Sequence, residues 1–259
     1  MQLPICGMIP PRSKRGMKSG LSVMVKGEIP MIYVINLEER TDRRAKVKKS
    51  LNSLGLSFTI IKAIDAKKLS KWKTSFNLTP PAQACWDSHV LAMQTFLKTS
   101  SSHALIFEDD VVLQRWDKVE KIILEKDHSD FDLLQFGFVN TGFIDRIHRN
   151  LVNFESIVFQ LIYDLTRSQT THSLQKRLRV SRREGMGFVL VAGDIRAGAQ
   201  AYLISRALAL SILQSPSTPL VPFDGLLMSL GWTSKFKVAR TIRNLIPQDN
   251  SPSSIKGYF

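Results

Sequence analysis

His103-Ala-Leu-Ile-Phe-Glu-Asp-Asp-Val-Val-Leu113 (HALIFEDDVVL) is the stretch whose reading decides the fold. Its apolar run from Ala104 to Phe107 suits a short buried strand and ends in three adjacent acids, Glu108, Asp109 and Asp110. The chain around them carries a formal net charge of +14. In open α/β sheets ligands bind outside the carboxyl ends of strands, which is where these acids fall. Crowded carboxylates repel and raise one another's pKa unless a cation offsets the charge. A hard divalent ion, Mg²⁺ or Mn²⁺, does so with one or two carboxylates and the oxygens of a substrate diphosphate. The plainer alternative is a solvated acidic turn ahead of a helix.

The flanking sequence supplies the rest of an α/β pattern. Met31 to Asn36 is apolar and β-branched, as in a strand; Glu38 to Asp42 reads as a turn. A helix follows from about Thr41 to Leu54, with Val47, Leu51 and Leu54 at helical spacing and Gly55 as its stop. Ser57 to Ile61 forms a second strand, leading to Asp65. Leu78-Thr79-Pro80-Pro81 starts a helix with Thr79 as cap, and this helix reaches about Lys98 with Cys85, His89, Met93 and Phe96 on one side. Beyond the acids come a helix at Trp116 to Lys126 and a strand at Asp132 to Phe136. Further strands are expected at Phe188 to Val191, Ala201 to Ile204 and Lys235 to Ala239. Helices are expected at Arg206 to Leu213 and after Asp224. The alternation predicts a mostly parallel sheet with helices on its faces.

Thr141 to Gly185 breaks the pattern. It is basic (Lys176, Arg177, Arg179, Arg182, Arg183), helical around Leu151 to Leu165 and poor in strand signals, as in an insertion, a lid or a docking surface. Residues 1–30 read as a flexible extension, or as sequence upstream of a start near Met24 or Met31. Their apolar residues are too broken by Pro and Arg for a secretory signal. Residues 31–259 then make a single domain of ordinary size. No apolar run approaches the ~20 residues that cross a bilayer. Cys6 and Cys85 are the only cysteines, so neither a disulfide framework nor a Cys-based zinc site is expected, and a reducing compartment is favoured. The expected location is therefore cytoplasmic, with peripheral contact to an anionic membrane face. The positive charge calls for anionic partners. Nucleic acid is the weakest candidate, because the basic clusters lack interleaved aromatics.

Arg40, Arg43 and Arg44 stand at or near a helix start, where the helix dipole disfavours cations. A bound anion reverses that penalty, and helix starts present free N–H groups to phosphate. The alternative is that Glu38, Glu39 and Asp42 balance them at the surface. Basic groups at one strand end and acids at another suit a metal-bound, phosphorylated leaving group such as a nucleotide-sugar. Charge grows on its diphosphate as the sugar bond breaks. Transfer with inversion also needs a base for the attacking hydroxyl.

Six segments, taken in order, resemble glycosyltransferase family 25, the lipooligosaccharide-biosynthesis galactosyltransferase family that includes collagen galactosyltransferases. They are INLEERTDRR (35–44), AID (63–65), LTP (78–80), CWDSH (85–89), ALIFEDDV (104–111) and GAQAYLIS (198–205). The resemblance covers about Met31 to Ser254. It implies a GT-A-like nucleotide-sugar-binding fold, a UDP-sugar donor, often UDP-galactose, and Mn²⁺ dependence with inversion. Glu108 and Asp110 then correspond to metal ligands, with Asp109 in the same diphosphate motif. Asn36, Arg40, Arg43, Arg44, Ser88 and Gln248 match donor-side positions, and Asp65 either hydrogen-bonds a ribose or serves a turn. The base is Asp224 or His89, although Asp224 also suits a helix cap and His89 a core residue. Ala84 and Arg196-Ala197 depart from the family pattern, the latter at a place that bears on sugar or acceptor choice.

The expected activity is transfer of a hexose, galactose by resemblance, to a hydroxyl of a lipid-linked or other surface glycan. Two other readings stay open: a nucleotidyl- or phosphoryl-handling enzyme using the same acids, and a basic membrane-binding module without catalysis.

Overall fold

The structure is a computed structural model that describes residues 29–69, 78–125, 131–139, 180–182, 189–192, 195–214, 221–233 and 236–249. The expected extension at 1–28, the helix at 151–165 with nearly all of the insertion, the loop holding Pro216 and Pro219, and the tail beyond 249 lie outside the described residues.

The chain opens as read. Strand β1 (Ile32–Asn36) leads into helix α1 (Thr41–Ser53), and α1 into strand β2 (Phe58–Lys62). Gly55 ends α1 with φ +67, a conformation that costs an L side chain free energy but not glycine. Helix α2 (Pro80–Leu97) has proline in its first turn, where a missing N–H costs no helical bond. Strand β3 (His103–Glu108), helix α3 (Trp116–Glu125) and strand β4 (Leu133–Gly137) follow. The chain continues through β5 (Val180–Arg182), β6 (Val189–Ala192), β7 (Ala201–Ser205), α4 (Arg206–Gln214), α5 (Phe223–Thr233) and β8 (Val238–Thr241).

These eight strands form one sheet in the order β2-β1-β3-β7-β4-β8-β6-β5. β1 pairs in parallel with β2 and β3, and β4 with β8. β7 is antiparallel to both β3 and β4, and β6 to both β5 and β8. Six strands therefore point one way and two the other, the mostly parallel α/β arrangement compatible with a GT-A-like fold. β5 lies in the segment expected to be poor in strand signals. Its three residues pair only with β6 among the described residues, so its conformation comes from that partner rather than from local propensity.

Alternate side chains of each strand face opposite sides of the sheet. Leu105 and Phe107 of β3 pack with Val47 and Leu51 of α1 and with Trp116, Val119 and Ile122 of α3. Ala104 and Ile106 pack on the other side with Met93 and Phe96 of α2, Leu208 and Ile212 of α4 and Leu227 of α5. Each large apolar side chain so buried contributes about 1.5–3 kcal/mol. Exposed pairs such as Lys62–Glu38 at 2.7 Å are screened by solvent and add little, so the two apolar layers hold the sheet.

Candidate functional site

β1 and β3 are parallel neighbours in a register that sets Ile35 opposite Glu108. Their carboxyl ends therefore lie side by side, and the polar residues after each apolar run meet. Asn36, buried at the end of β1, donates from Nδ2 to Asp109 Oδ2 at 2.6 Å and to the Arg40 carbonyl at 3.1 Å. α1 starts a few residues later and brings Arg43 back over the same point. Arg43 Nη1 donates to Asp109 Oδ1 at 3.1 Å and to Asp110 Oδ2 at 2.9 Å. The anions that offset this cation at a helix start are thus the chain's own aspartates. Arg40 is bound instead to Asp42, at 3.0 and 2.9 Å.

The C-terminal segment is strapped across the acids. Val112 N–H donates to the Pro247 carbonyl at 2.8 Å and Asp249 N–H to the Asp110 carbonyl at 2.7 Å. This strap brings Gln248 Nε2 to 3.4 Å from Glu108 Oε2. Lys46 secures it from α1 through Asp249 at 2.5 Å.

Burial and crowding act together on the aspartates. Asp110 is raised to about 7, first by desolvation and then by the charge of Glu108, with Arg43 opposing and Asp109 and Asp249 adding to the rise. Asp109 is also raised, mainly by burial, against the hydrogen bonds from Asn36 and Arg43. Asp110 Oδ1 is buried and without a hydrogen-bond partner.

A cavity of about 550 Å³ opens beside these groups, within the usual size of a small-molecule site. Arg40, Arg43, Asp65, Ser88, His89, Glu108, Asp109, Asp110 and Gln248 all line it. Asn36 stands behind Asp109 and is not part of the wall. Arg44 is half-buried on α1 and also lies off the wall, with its charge felt at Glu38. Asp65 serves a turn while facing the cavity, its Oδ1 accepting from Lys67 N–H at 2.9 Å. Ser88 donates its hydroxyl proton to the Ala84 carbonyl at 2.6 Å and accepts from Ile64 N–H at 2.9 Å, tying α2 to the loop after β2.

The two candidate bases differ in placement. His89 is buried on α2, its ring stacked on Phe223 at 4.1 Å. Its Nδ1 lies 2.9 Å from Tyr202 Oη, while Nε2 faces Glu108 Oε1 at 3.6 Å and has no hydrogen-bond partner. Asp224, in the first turn of α5, accepts from Gly225 N–H at 2.8 Å and Gly198 N–H at 3.4 Å and does not line the cavity. Its charge nonetheless acts on Cys85, whose thiol is pushed far up by burial, by Glu108 and by Asp224 in that order.

Sequence reading named neither Cys85 nor Tyr202 as a site residue. Cys85 carried a usable signal, four residues before His89 on one helix face. Tyr202 carried only a weak one, a lone hydroxyl in the apolar run Ala201 to Ile204.

Comparison with known proteins bears on this geometry. Residues 29–227 match the family model described as glycosyltransferase family 25 (LPS biosynthesis protein). A protein of Anopheles gambiae named "Glycosyltransferase 25 family member" is 31% identical over 96 residues, which cover 31% of this chain and 16% of that protein. The matched family span takes in the acidic strand end, Arg43, His89 and Asp224, and the chain belongs to glycosyltransferase family 25.

Proposed function

We propose that this glycosyltransferase family member is a metal-dependent, inverting hexosyltransferase. It moves a hexose, galactose on the family resemblance, from a UDP-sugar to a hydroxyl of a lipooligosaccharide or other surface glycan. The observation that carries the reading is the convergence of Glu108, Asp109, Asp110, Arg43 and Gln248 on one cavity at the carboxyl ends of parallel strands.

The residues fit a hard divalent cation, Mn²⁺ or Mg²⁺. Asp110 has a buried, unpartnered Oδ1, and the Glu108 charge next to it helps raise it to about 7, so added positive charge relieves both groups. Glu108 and Asp110 would hold the ion, which when bound supplies charge to the diphosphate as its bond to the sugar breaks. Arg43 and Asn36 fix Asp109 and Asp110, so that the acids need no reorganisation when the donor binds. Arg40 and Asp65, on the cavity wall, stand to meet the nucleotide, and Gln248 orients Glu108.

In the transfer, the bond from the anomeric carbon to the diphosphate oxygen breaks and its electron pair leaves with UDP. A bond from the acceptor oxygen to that carbon forms on the opposite face, and the acceptor proton passes to a base, His89 or Asp224. His89 lines the cavity with Nε2 toward Glu108, whereas Asp224 lies off the wall and accepts from two backbone N–H groups. Among the described residues no helix is long and apolar enough to cross a membrane. The positive charge suits peripheral contact with an anionic bilayer beside a lipid-linked acceptor.

Incubation with UDP-sugars and Mn²⁺ tests this. A transferase releases UDP and glycosylates an acceptor, and Asp110→Asn abolishes both while leaving the circular dichroism spectrum unchanged. Release of pyrophosphate or free phosphate, or an Asp110→Asn variant as active as wild type, overturns the proposal.

A further inference from the structure

We propose that Cys85 Sγ, His89 Nε2 and Glu108 form a second, softer cation site in the cavity wall, one that takes Zn²⁺ in place of the ion held by Glu108 and Asp110. Cys85 and His89 are four residues apart on α2, so both project from one face of the helix. Glu108 meets them from the end of β3. The three ligand atoms lie within 4.8 Å of one another. Ligand bonds of about 2.0–2.3 Å in a tetrahedral site set neighbouring ligands roughly 3.3–3.8 Å apart. The His89–Glu108 edge is already at 3.6 Å, and the edges to the thiol need to close by at most about 1.0–1.5 Å from their 4.8 Å limit.

His89 supplies an independent sign of a ligand. Its ring is almost wholly buried, yet Nε2 has no hydrogen-bond partner and faces a carboxylate. A buried polar atom left this way costs free energy that a ligand recovers. The opposite nitrogen is held by Tyr202 Oη at 2.9 Å. With Nδ1–H donating to that oxygen, Nε2 offers its lone pair, the arrangement that outer-shell partners impose on metal-bound histidines. One thiolate, one imidazole and one carboxylate leave a fourth position open to the cavity. This donor set suits Zn²⁺ or Co²⁺ better than Mn²⁺, whose preferred ligands are oxygens.

Binding replaces the S–H bond of Cys85 by an S–metal bond and releases one proton to solvent, with no redox change. Because Glu108 belongs to both sites, Zn²⁺ here takes a carboxylate away from the donor-side ion. The two occupancies exclude each other, and zinc inhibits transfer by competition with Mn²⁺.

Cobalt(II) titration of the full chain tests the site directly, since only thiolate ligation gives a thiolate-to-cobalt charge-transfer band. Wild type and Cys6→Ser are expected to develop the band to one equivalent and to lose it on adding Zn²⁺. Cys85→Ser should lack the band. Tyr202→Phe should keep it but bind about 10–100-fold more weakly, as a positioning residue does. Absence of the band in wild type, cobalt bound through oxygens alone, or a band that follows Cys6 overturns the inference. Because the wild-type titration uses neither donor nor acceptor, an inactive protein that gives the band overturns only the transferase reading. An active one without the band overturns only this site.

Discussion

Arg43→Met removes the guanidinium that faces two buried carboxylates while keeping most of the side chain's apolar stem. The Arg43, Asp109 and Asp110 side chains are 7%, 10% and 11% exposed, so solvent does little to screen the loss. Each hydrogen bond from a charged donor is worth about 1.5–3 kcal/mol, and removing one partner of a buried ion pair costs about 3–5 kcal/mol. The two Arg43 bonds together amount to about 3–6 kcal/mol, which overlaps the ion-pair cost at about 3–5 kcal/mol. The carboxylates have one escape, which is to bind protons. Asp110 already titrates at about 7, and loss of Arg43 pushes it higher. The destabilisation should therefore be smaller at pH 5, where Asp110 is protonated with or without Arg43 and only Asp109 is left to lose a counter-charge. It should approach about 3–5 kcal/mol by pH 9, where ionisation is forced. Urea unfolding of both proteins at the two pH values, without divalent ions, measures the difference from the midpoints and slopes. A loss below about 1 kcal/mol at pH 9, or a greater loss at pH 5 than at pH 9, refutes Arg43 as the counter-charge of the acidic strand end.

Other expectations follow from the same numbers. The folded-state pKa of Asp110 is raised from 3.8 to about 7, so the native state holds more protons than the unfolded chain in that window. Unfolding free energy measured without divalent ions should thus fall as pH rises from about 4 to about 7, and Mn²⁺ should flatten the slope. A flat profile without metal counts against a buried, crowded Asp110. Asp42, lowered to about 2 chiefly by its hydrogen bond from Arg40, acts the other way and only below about 4, where stability is lost as pH falls. Gly198 has φ +105, and a Cβ there meets Gln200 Oε1 and, at 3.0 Å, the Val139 nitrogen. Gly198→Ala should cost roughly 2–5 kcal/mol by thermal or urea unfolding, combining backbone strain with overpacking. Lys46→Ala breaks an ion pair whose lysine is 62% exposed, and a change above about 1 kcal/mol would be unexpected in the same assay.

The sequence was most informative where local chemistry repeats at short range. The Thr79-Pro80-Pro81 start, the Gly55 stop and the apolar run into Glu108-Asp109-Asp110 all matched observed elements to within a residue or two, because capping and burial are local properties. Sheet order was not legible, since pairing of β3 with β7 joins segments nearly a hundred residues apart and no periodicity encodes it. Arg43 shows the middle case. Its unfavourable place at a helix start announced an anion, but a single sequence does not show that this anion sits 66 residues further on. His89 was legible as a helix-face residue beside Cys85. Its unpartnered nitrogen depends on Glu108 arriving from β3 and Tyr202 from β7, contacts that only the tertiary fold creates.

β7 lies between β3 and β4, yet it is synthesised long after both. While the ribosome adds the intervening residues, roughly a hundred from the acids onward at about 5–20 residues per second, β3 exposes a bare edge for about 5–20 s. β4 pairs only with β7 and β8 among the described residues, so it waits without a strand partner for most of that time. A nascent chain in this state offers hydrophobic edges to its neighbours, which makes expression yield sensitive to chaperone supply and to translational pausing before residue 201. Because Tyr202 rides on the late strand, His89 gains its hydroxyl partner only as the gap closes.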